Sequence, residues 1–264
     1  MKVHLRGFDM AYAQNGQGIP LLLIHGFPLN REMWAAQIQA LSNEMRVIAP
    51  DLRGHGESEA VAGNYSMEML AEDCNALVEH LGIDQPIVVC GLSMGGYIAL
   101  AYYRLYPSKV AGLILAATRA GADSAEGKQN RDKTAAKAEE EGPEAVVEGM
   151  LPKMLSMKTY EENPDLVEQA RSIMEKTTTN GMVGALMGMK NRPDSTGMLE
   201  QIEVPTLILY GADDQIIPFE DVETMQDAIP DVHLRILPDA GHLLNLEQPE
   251  LFNRAVLTFI ENLK

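Results

Sequence analysis

A serine hydroxyl attacks a carbonyl only when a neighbouring base takes its proton, and Ser93 is set for that work. It stands in Gly91-Leu92-Ser93-Met94-Gly95, the G-x-S-x-G pattern of a sharp turn between a strand and a helix. The apolar run Pro86-Ile-Val-Val-Cys90 precedes it, and the helical stretch from Tyr97 to Leu105 follows. Such a turn pushes the hydroxyl into the open while strand and helix cross at close range. Side chains at 91 and 95 would collide there, so glycine fits both places. The helix that starts after Ser93 points unpaired N–H groups and the positive end of its dipole at any oxyanion formed on the serine.

The working groups of an open α/β sheet gather at the carboxyl ends of its strands, so the base is sought among histidines that follow a strand. Of six histidines, His4 and His233 fall within strands, His80 lies near a helix end, and His25 and His55 sit in loops upstream of the serine. His242, in the loop after the last strand, is the candidate base. The acid that orients its imidazole is sought in Tyr210-Gly-Ala-Asp213-Asp214. Asp214 is preferred, because three residues beyond Gly211 leave room for the loop to turn back, and Asp213 stays open. The strand ending near Ala116 is followed by Ala117-Thr118, with no carboxylate. Hydroxyl, imidazole and carboxylate in that relation serve acyl transfer.

The elements that must position these groups follow in order. Residues 2–13 alternate and suggest a hairpin turning near Arg6-Gly7. Pro20–Ile24 and Met45–Ala49 read as strands, the first buried on both faces, with a helix over 31–41 between them. A helix over Ser66–Leu81 precedes the strand at 86–90, and Val110–Ala116 is the next strand. From about Arg119 to Gly197 apolar strands vanish and at least three helical segments appear. One is opened by Asp123 as a carboxylate cap with Glu126 three residues on, one by Asn163-Pro164, and a third covers about 180–191. Residues 119–197 are expected to lie over the sheet as a helical cap, with 1–118 and 198–264 forming one core. The rhythm resumes with strands at Val204–Tyr210 and Val232–Leu237, a helix at 218–229 between them and a terminal helix at 248–262. Strands alternating with helices predict an α/β fold with a mainly parallel sheet.

The chain of 264 residues carries 38 acidic against 21 basic side chains, a net charge of −17. That balance argues against nucleic acid or an anionic membrane surface as a partner. Cys74 and Cys90 have no metal-binding spacing and read as buried apolar residues. No secretory signal or membrane-spanning run stands out, so the cytoplasm is the expected compartment.

Ser93, Asp214 and His242 in that order, with IHGFP, PDLRGHGES, CGLSMGG, YGADDQIIP and AGHLLNLEQP, resemble the α/β-hydrolases over nearly the full chain. The resemblance implies an eight-stranded, mostly parallel sheet whose first strands pair antiparallel, with a cap inserted after the sixth strand. It implies an oxyanion hole from the backbone N–H groups of Met94 and, through the HGFP element, Phe27. It also implies that Asp51, Arg53 and His55 brace a loop, and that His25 is a hydrogen bonder rather than a base. Serine at the nucleophile position turns away from haloalkane dehalogenases and epoxide hydrolases, which attack with aspartate. The chain is similar to small bacterial carboxylesterases and to 3-oxoadipate enol-lactonases, so a serine esterase for small to medium acyl groups is expected, needing no cofactor and no metal. A lactonase uses the same machinery. Its carboxylate substrates would call for a basic cap residue, and Arg119, Lys153, Lys190 and Arg192 are available. A receptor or scaffold of the same fold with little turnover is a second class, because fold does not fix function. The expected partner is a small ester or lactone, and the oligomeric state is unknown. Eight of the 16 methionines fall between Met150 and Met198, suited either to an adaptable apolar wall or simply to packing the cap.

Overall fold

The computed structural model describes residues 1–263. Its eight strands are β1 (Lys2–Leu5), β2 (Phe8–Asn15), β3 (Ile19–Ile24), β4 (Met45–Pro50), β5 (Ile87–Leu92), β6 (Val110–Ala116), β7 (Thr206–Gly211) and β8 (Val232–Leu237). They form one sheet in the order β1-β2-β4-β3-β5-β6-β7-β8. The β1/β2 and β2/β4 pairs are antiparallel and all others parallel, the α/β-hydrolase arrangement the resemblance implies.

The helices are α1 (Ala35–Leu41), α2 (Met67–His80), α3 (Met94–Leu105), α4 (Ala125–Glu141), α5 (Pro143–Met150), α6 (Met157–Glu162), α7 (Pro164–Glu175), α8 (Thr179–Lys190), α9 (Phe219–Ala228), α10 (Leu244–Glu247) and α11 (Pro249–Glu261). The chain runs from β3 to β4 in one direction along the sheet, then from β4 to β5 and onward in the other. With right-handed crossovers, that reversal puts α1 on one face and α2, α3 and α9 on the opposite one. A crevice opens between the carboxyl ends of β3 and β5, where the reversal occurs. Ser93 follows β5, and His25-Gly26-Phe27 follows β3.

Several boundaries differ from the sequence reading. The helix expected over 31–41 begins as a 3-10 turn at Arg31–Trp34, because Asn30 caps it by accepting from the Glu32 N–H. The terminal helix is preceded by the separate turn α10, and Pro249 opens α11. Five helices, α4 to α8, lie between β6 and β7, where at least three were expected. Asn163 caps α7 as expected, but Asp123 does not cap α4. Ser124 does, accepting from Gly127, because three arginines draw the Asp123 carboxylate inward.

This helical segment is bonded to the core at several points. Thr178 donates through both its N–H and its hydroxyl to Gly54 O, Asn30 donates to Ile173 O, and Thr177 donates to Pro28 O. Gly54 itself lies in the Asp51–Ser58 loop. There the buried Asp51 carboxylate accepts from the N–H groups of Arg31 (2.7 Å) and Glu57 (2.9 Å). Arg53 grips Asp73 through two nitrogens and lies 4.1 Å above the Phe8 ring.

Two buried imidazoles complete the bracing. His25 Nδ1 donates to Gly26 O at 2.8 Å while its Nε2 accepts from Leu52 N–H at 3.0 Å, and His55 Nδ1 bonds Arg53 O at 2.7 Å. Burial lowers the pKa of His25 to about 4. Burial, joined by repulsion from His25, takes His55 to about 3. The unfolded chain takes up both protons near 6.5, so stability is complete above that pH and falls as pH drops through it. The loss is roughly 2 kcal/mol per ring at pH 5. Urea unfolding at pH 7 and pH 5 should show this decline. His55→Gln should flatten it by about half; an unchanged slope would assign the acid sensitivity to other groups.

Candidate active site

Ser93 has φ 56° and ψ −113°, a left-handed conformation that a non-glycine residue holds only when its surroundings fix it. They do. Its N–H donates to Ala116 O at 2.9 Å, and the Thr118 hydroxyl donates to its carbonyl at 2.8 Å. A Cβ at Gly91 would lie 2.0 Å from Gly95 O, and one at Gly95 would lie 2.2 Å from Ile24 O. Only bare backbone lets β5, α3 and the end of β3 meet this closely. Gly26 lies directly across, where an added Cβ would stand 3.3 Å from Ser93 Cβ. Among the described residues, no partner takes the backbone N–H of Phe27 or of Met94. Two unspent donors therefore flank the serine, one from each side of the crevice.

His242 is buried, at 1% exposure, and its Nδ1 bonds Asp214 Oδ2 at 2.9 Å. The other Asp214 oxygen accepts from Ile216 N–H (2.8 Å) and Ile217 N–H (3.1 Å). With Nδ1–H committed to the carboxylate, Nε2 carries the free lone pair. Burial opposes the Asp214 charge. The imidazole's attraction and hydrogen bond, with the two N–H donors, outweigh that cost and hold the carboxyl below its ordinary range. Asp213, the other carboxylate considered, is exposed, and its N–H is tied to Ala240 O. Ser93 and His242 line one cavity of about 60 Å³ with Phe27, Tyr97 and the apolar side chains of Ile216 and Ile217. Among the described residues no hydrogen bond joins the two side chains directly, an arrangement common where substrate binding tightens the contact.

A wider cleft of about 330 Å³ adjoins this cavity and shares Phe27, Arg119, Arg131, Met150 and Ile216 with it. Of the four basic residues singled out in the sequence, Arg119 lines both spaces and Lys153 lines the cleft. Lys190 pairs with Asp132. Arg192 is buried over the Tyr97 ring at 4.1 Å and bonds the carbonyls of Met189 and Gly121.

Sequence reasoning missed Arg131, which lines both spaces, and its anchor Asp123. Arg119 (3.0 Å), Arg131 (3.0 Å) and Arg192 (2.8 Å) converge on that single buried carboxylate, and Arg119 also reaches Asp221 at 3.4 Å, so three guanidinium groups meet two carboxylates beside the serine. Nothing local could have marked Arg131, whose neighbours in α4 are as polar as any solvated face. Of the eight clustered methionines, Met150, Met154 and Met189 reach the cavity. Cys74 and Cys90 are buried and unpaired, and burial pushes both thiols far up. Among the described residues no helix is long and apolar enough to cross a membrane.

The family described as alpha/beta hydrolase fold matches residues 19–249. The 3-oxoadipate enol-lactonase 2 of Acinetobacter baylyi is 30% identical over 247 residues, 93% of this chain and 90% of that one. A thermophilic esterase from Thermogutta terrifontis, solved with malate bound, superposes with a TM-score of 0.97 at 42% identity, covering 100% of this chain and 99% of the other. The enol-lactonase from Burkholderia xenovorans gives 0.92 at 28% identity, covering 99% and 100%. The strand order of the sheet and the match over residues 19–249 agree: the chain belongs to the alpha/beta hydrolase fold family.

Proposed function

We propose that the protein hydrolyses carboxylic esters through Ser93, His242 and Asp214, with residues 119–197 serving as the cap that walls the site. The observation that carries this reading is the 2.9 Å bond between His242 and Asp214, made by an imidazole that opens onto the same cavity as the Ser93 side chain. His242 Nε2 takes the serine proton as Oγ adds to the ester carbonyl. Charge on the tetrahedral oxygen falls to the N–H groups of Phe27 and Met94. Collapse releases the alcohol, which receives the proton from His242, and leaves an acyl-serine. A water molecule, deprotonated by the same imidazole, then frees the acid. Asp214 holds the tautomer and steadies the imidazolium.

A second reading, hydrolysis of an ester or lactone that bears a carboxylate, is favoured by Arg119 and Arg131 at the cavity. Among the described residues Arg131 bonds Asp123 only through Nε, which leaves its two terminal nitrogens to receive an anion in bidentate fashion.

Ser93→Ala should lower hydrolysis of p-nitrophenyl acetate and butyrate by about 10⁴-fold or more. Rates equal to wild type would end the esterase reading and leave a scaffold role. An organophosphate should add its mass to Ser93 alone. Asp214→Asn, which keeps the shape but presents a donor to the imidazole, should cost about 10³–10⁴-fold in kcat. For the second reading, monomethyl glutarate should be preferred over the neutral methyl pentanoate, and Arg131→Met should erase that preference by about tenfold. Equal kcat/KM for both esters in the wild type would remove the carboxylate requirement.

A further inference from the structure

The loop that carries His242 is held by a carboxylate to which the chemistry above gives no task. Glu247 Oε1 accepts from Ser156 N–H at 2.8 Å and from the Thr159 hydroxyl at 2.7 Å, and its Oε2 accepts from Gly241 N–H at 2.7 Å. Gly241 is the residue before His242. The residue after it, Leu243, donates its N–H to Met154 O at 3.0 Å. Both backbone neighbours of the imidazole are thus fastened to the stretch from Met154 to Thr159, one directly and one through Glu247. The fit allows no slack. A Cβ at Gly241 would stand 2.7 Å from the carbonyl carbon of Leu155. Ser156, Thr159 and His242 are all buried, and Ser156 Oγ closes the turn by accepting from Thr159 N–H at 3.2 Å. Glu247 is partly exposed, no cation pairs with it among the described residues, and these three donors meet its carboxylate. Charge-assisted bonds of this kind are short and roughly twice as strong as neutral ones.

We infer that Glu247 is a positioning residue for His242, and that residues 154–159 are a fixed mount for the base rather than part of a moving lid. The inference rests on His242 acting as the base. Losing one of three bonds would let the loop relax, and a displacement of about 1 Å in a reacting group costs up to about a hundredfold in rate. The effect belongs in the proton-transfer step and not in substrate affinity.

Glu247→Gln keeps the size and one acceptor oxygen but turns an NH₂ toward a donor. Thr159→Val removes one donor at constant shape. Each is to be assayed with p-nitrophenyl butyrate and for the rate at which an organophosphate labels Ser93, with the melting temperature measured alongside. Glu247→Gln should lose about tenfold or more in kcat with KM within about twofold, and labelling should slow by the same factor. Thr159→Val should lose less, in the same direction. Should Glu247→Gln fail to fold, Thr159→Val carries the test. Wild-type kcat and labelling in the folded variant, whatever its melting temperature, would leave Glu247 a purely structural residue and overturn the inference, as would a loss confined to KM. His242→Ala with wild-type activity would instead remove the base itself, and the positioning role would fall with it.

Discussion

The site depends on a distance that only bare backbone permits. At the turn after β5, the last strand residues, the first turn of α3 and the end of β3 come within contact of one another, and Gly91, Gly95 and Gly26 are the residues that allow it. A methyl group at 91 or 95 would separate these pieces, and the serine would lose its left-handed conformation, its outward hydroxyl and the two unspent N–H groups together. The reversal in strand order explains why this crowding happens at one place in the sheet. β3 and β5 are hydrogen-bonded neighbours, yet the chain leaves them toward opposite sides, so their following loops face each other across an open crevice.

Around that crevice the same residue types are put to different uses by their surroundings. His25 and His55 are sealed in, hydrogen-bonded to carbonyls and kept neutral by burial. His242 is as deeply placed but is backed by a carboxylate instead of a carbonyl. Asp214 and Asp123 are both buried acids kept ionised, one by an imidazole and backbone N–H groups, the other by arginines. A chain with a net charge of −17 therefore presents a locally cationic wall beside its serine.

How much of this was legible in the sequence follows from how local each signal is. Ser93 announces itself because strand, turn and helix are all encoded within a dozen neighbouring residues. His242 could be picked by elimination, since a base must follow a strand and lie near the sheet's carboxyl edge. Asp214 is preferred to Asp213 in the sequence for the room its loop needs to turn back, and in the structure Asp214 bonds His242 while Asp213 is exposed. Arg131 and Asp123 were out of reach for another reason. Their meaning comes from three arginines drawn from separate segments meeting at one oxygen pair, and in the chain α4 reads as an ordinary charged helix. Glu247 lay inside a recognised stretch, AGHLLNLEQP, but its partners Ser156 and Thr159 are some ninety residues upstream.

An open sheet also leaves two outer strands whose backbone groups on one side have no neighbour, and such rims are templates for unwanted association. Here β1 carries Lys2 and His4, and β8 carries the exposed His233 and Arg235 between Pro230-Asp231 and Pro238-Asp239. Two molecules meeting rim to rim at β8 would bring guanidinium against guanidinium, and the flanking prolines would cut any shared ladder short. Charges and prolines at the borders of the sheet therefore work with the overall charge against such pairing, even though β8 also exposes Ile236.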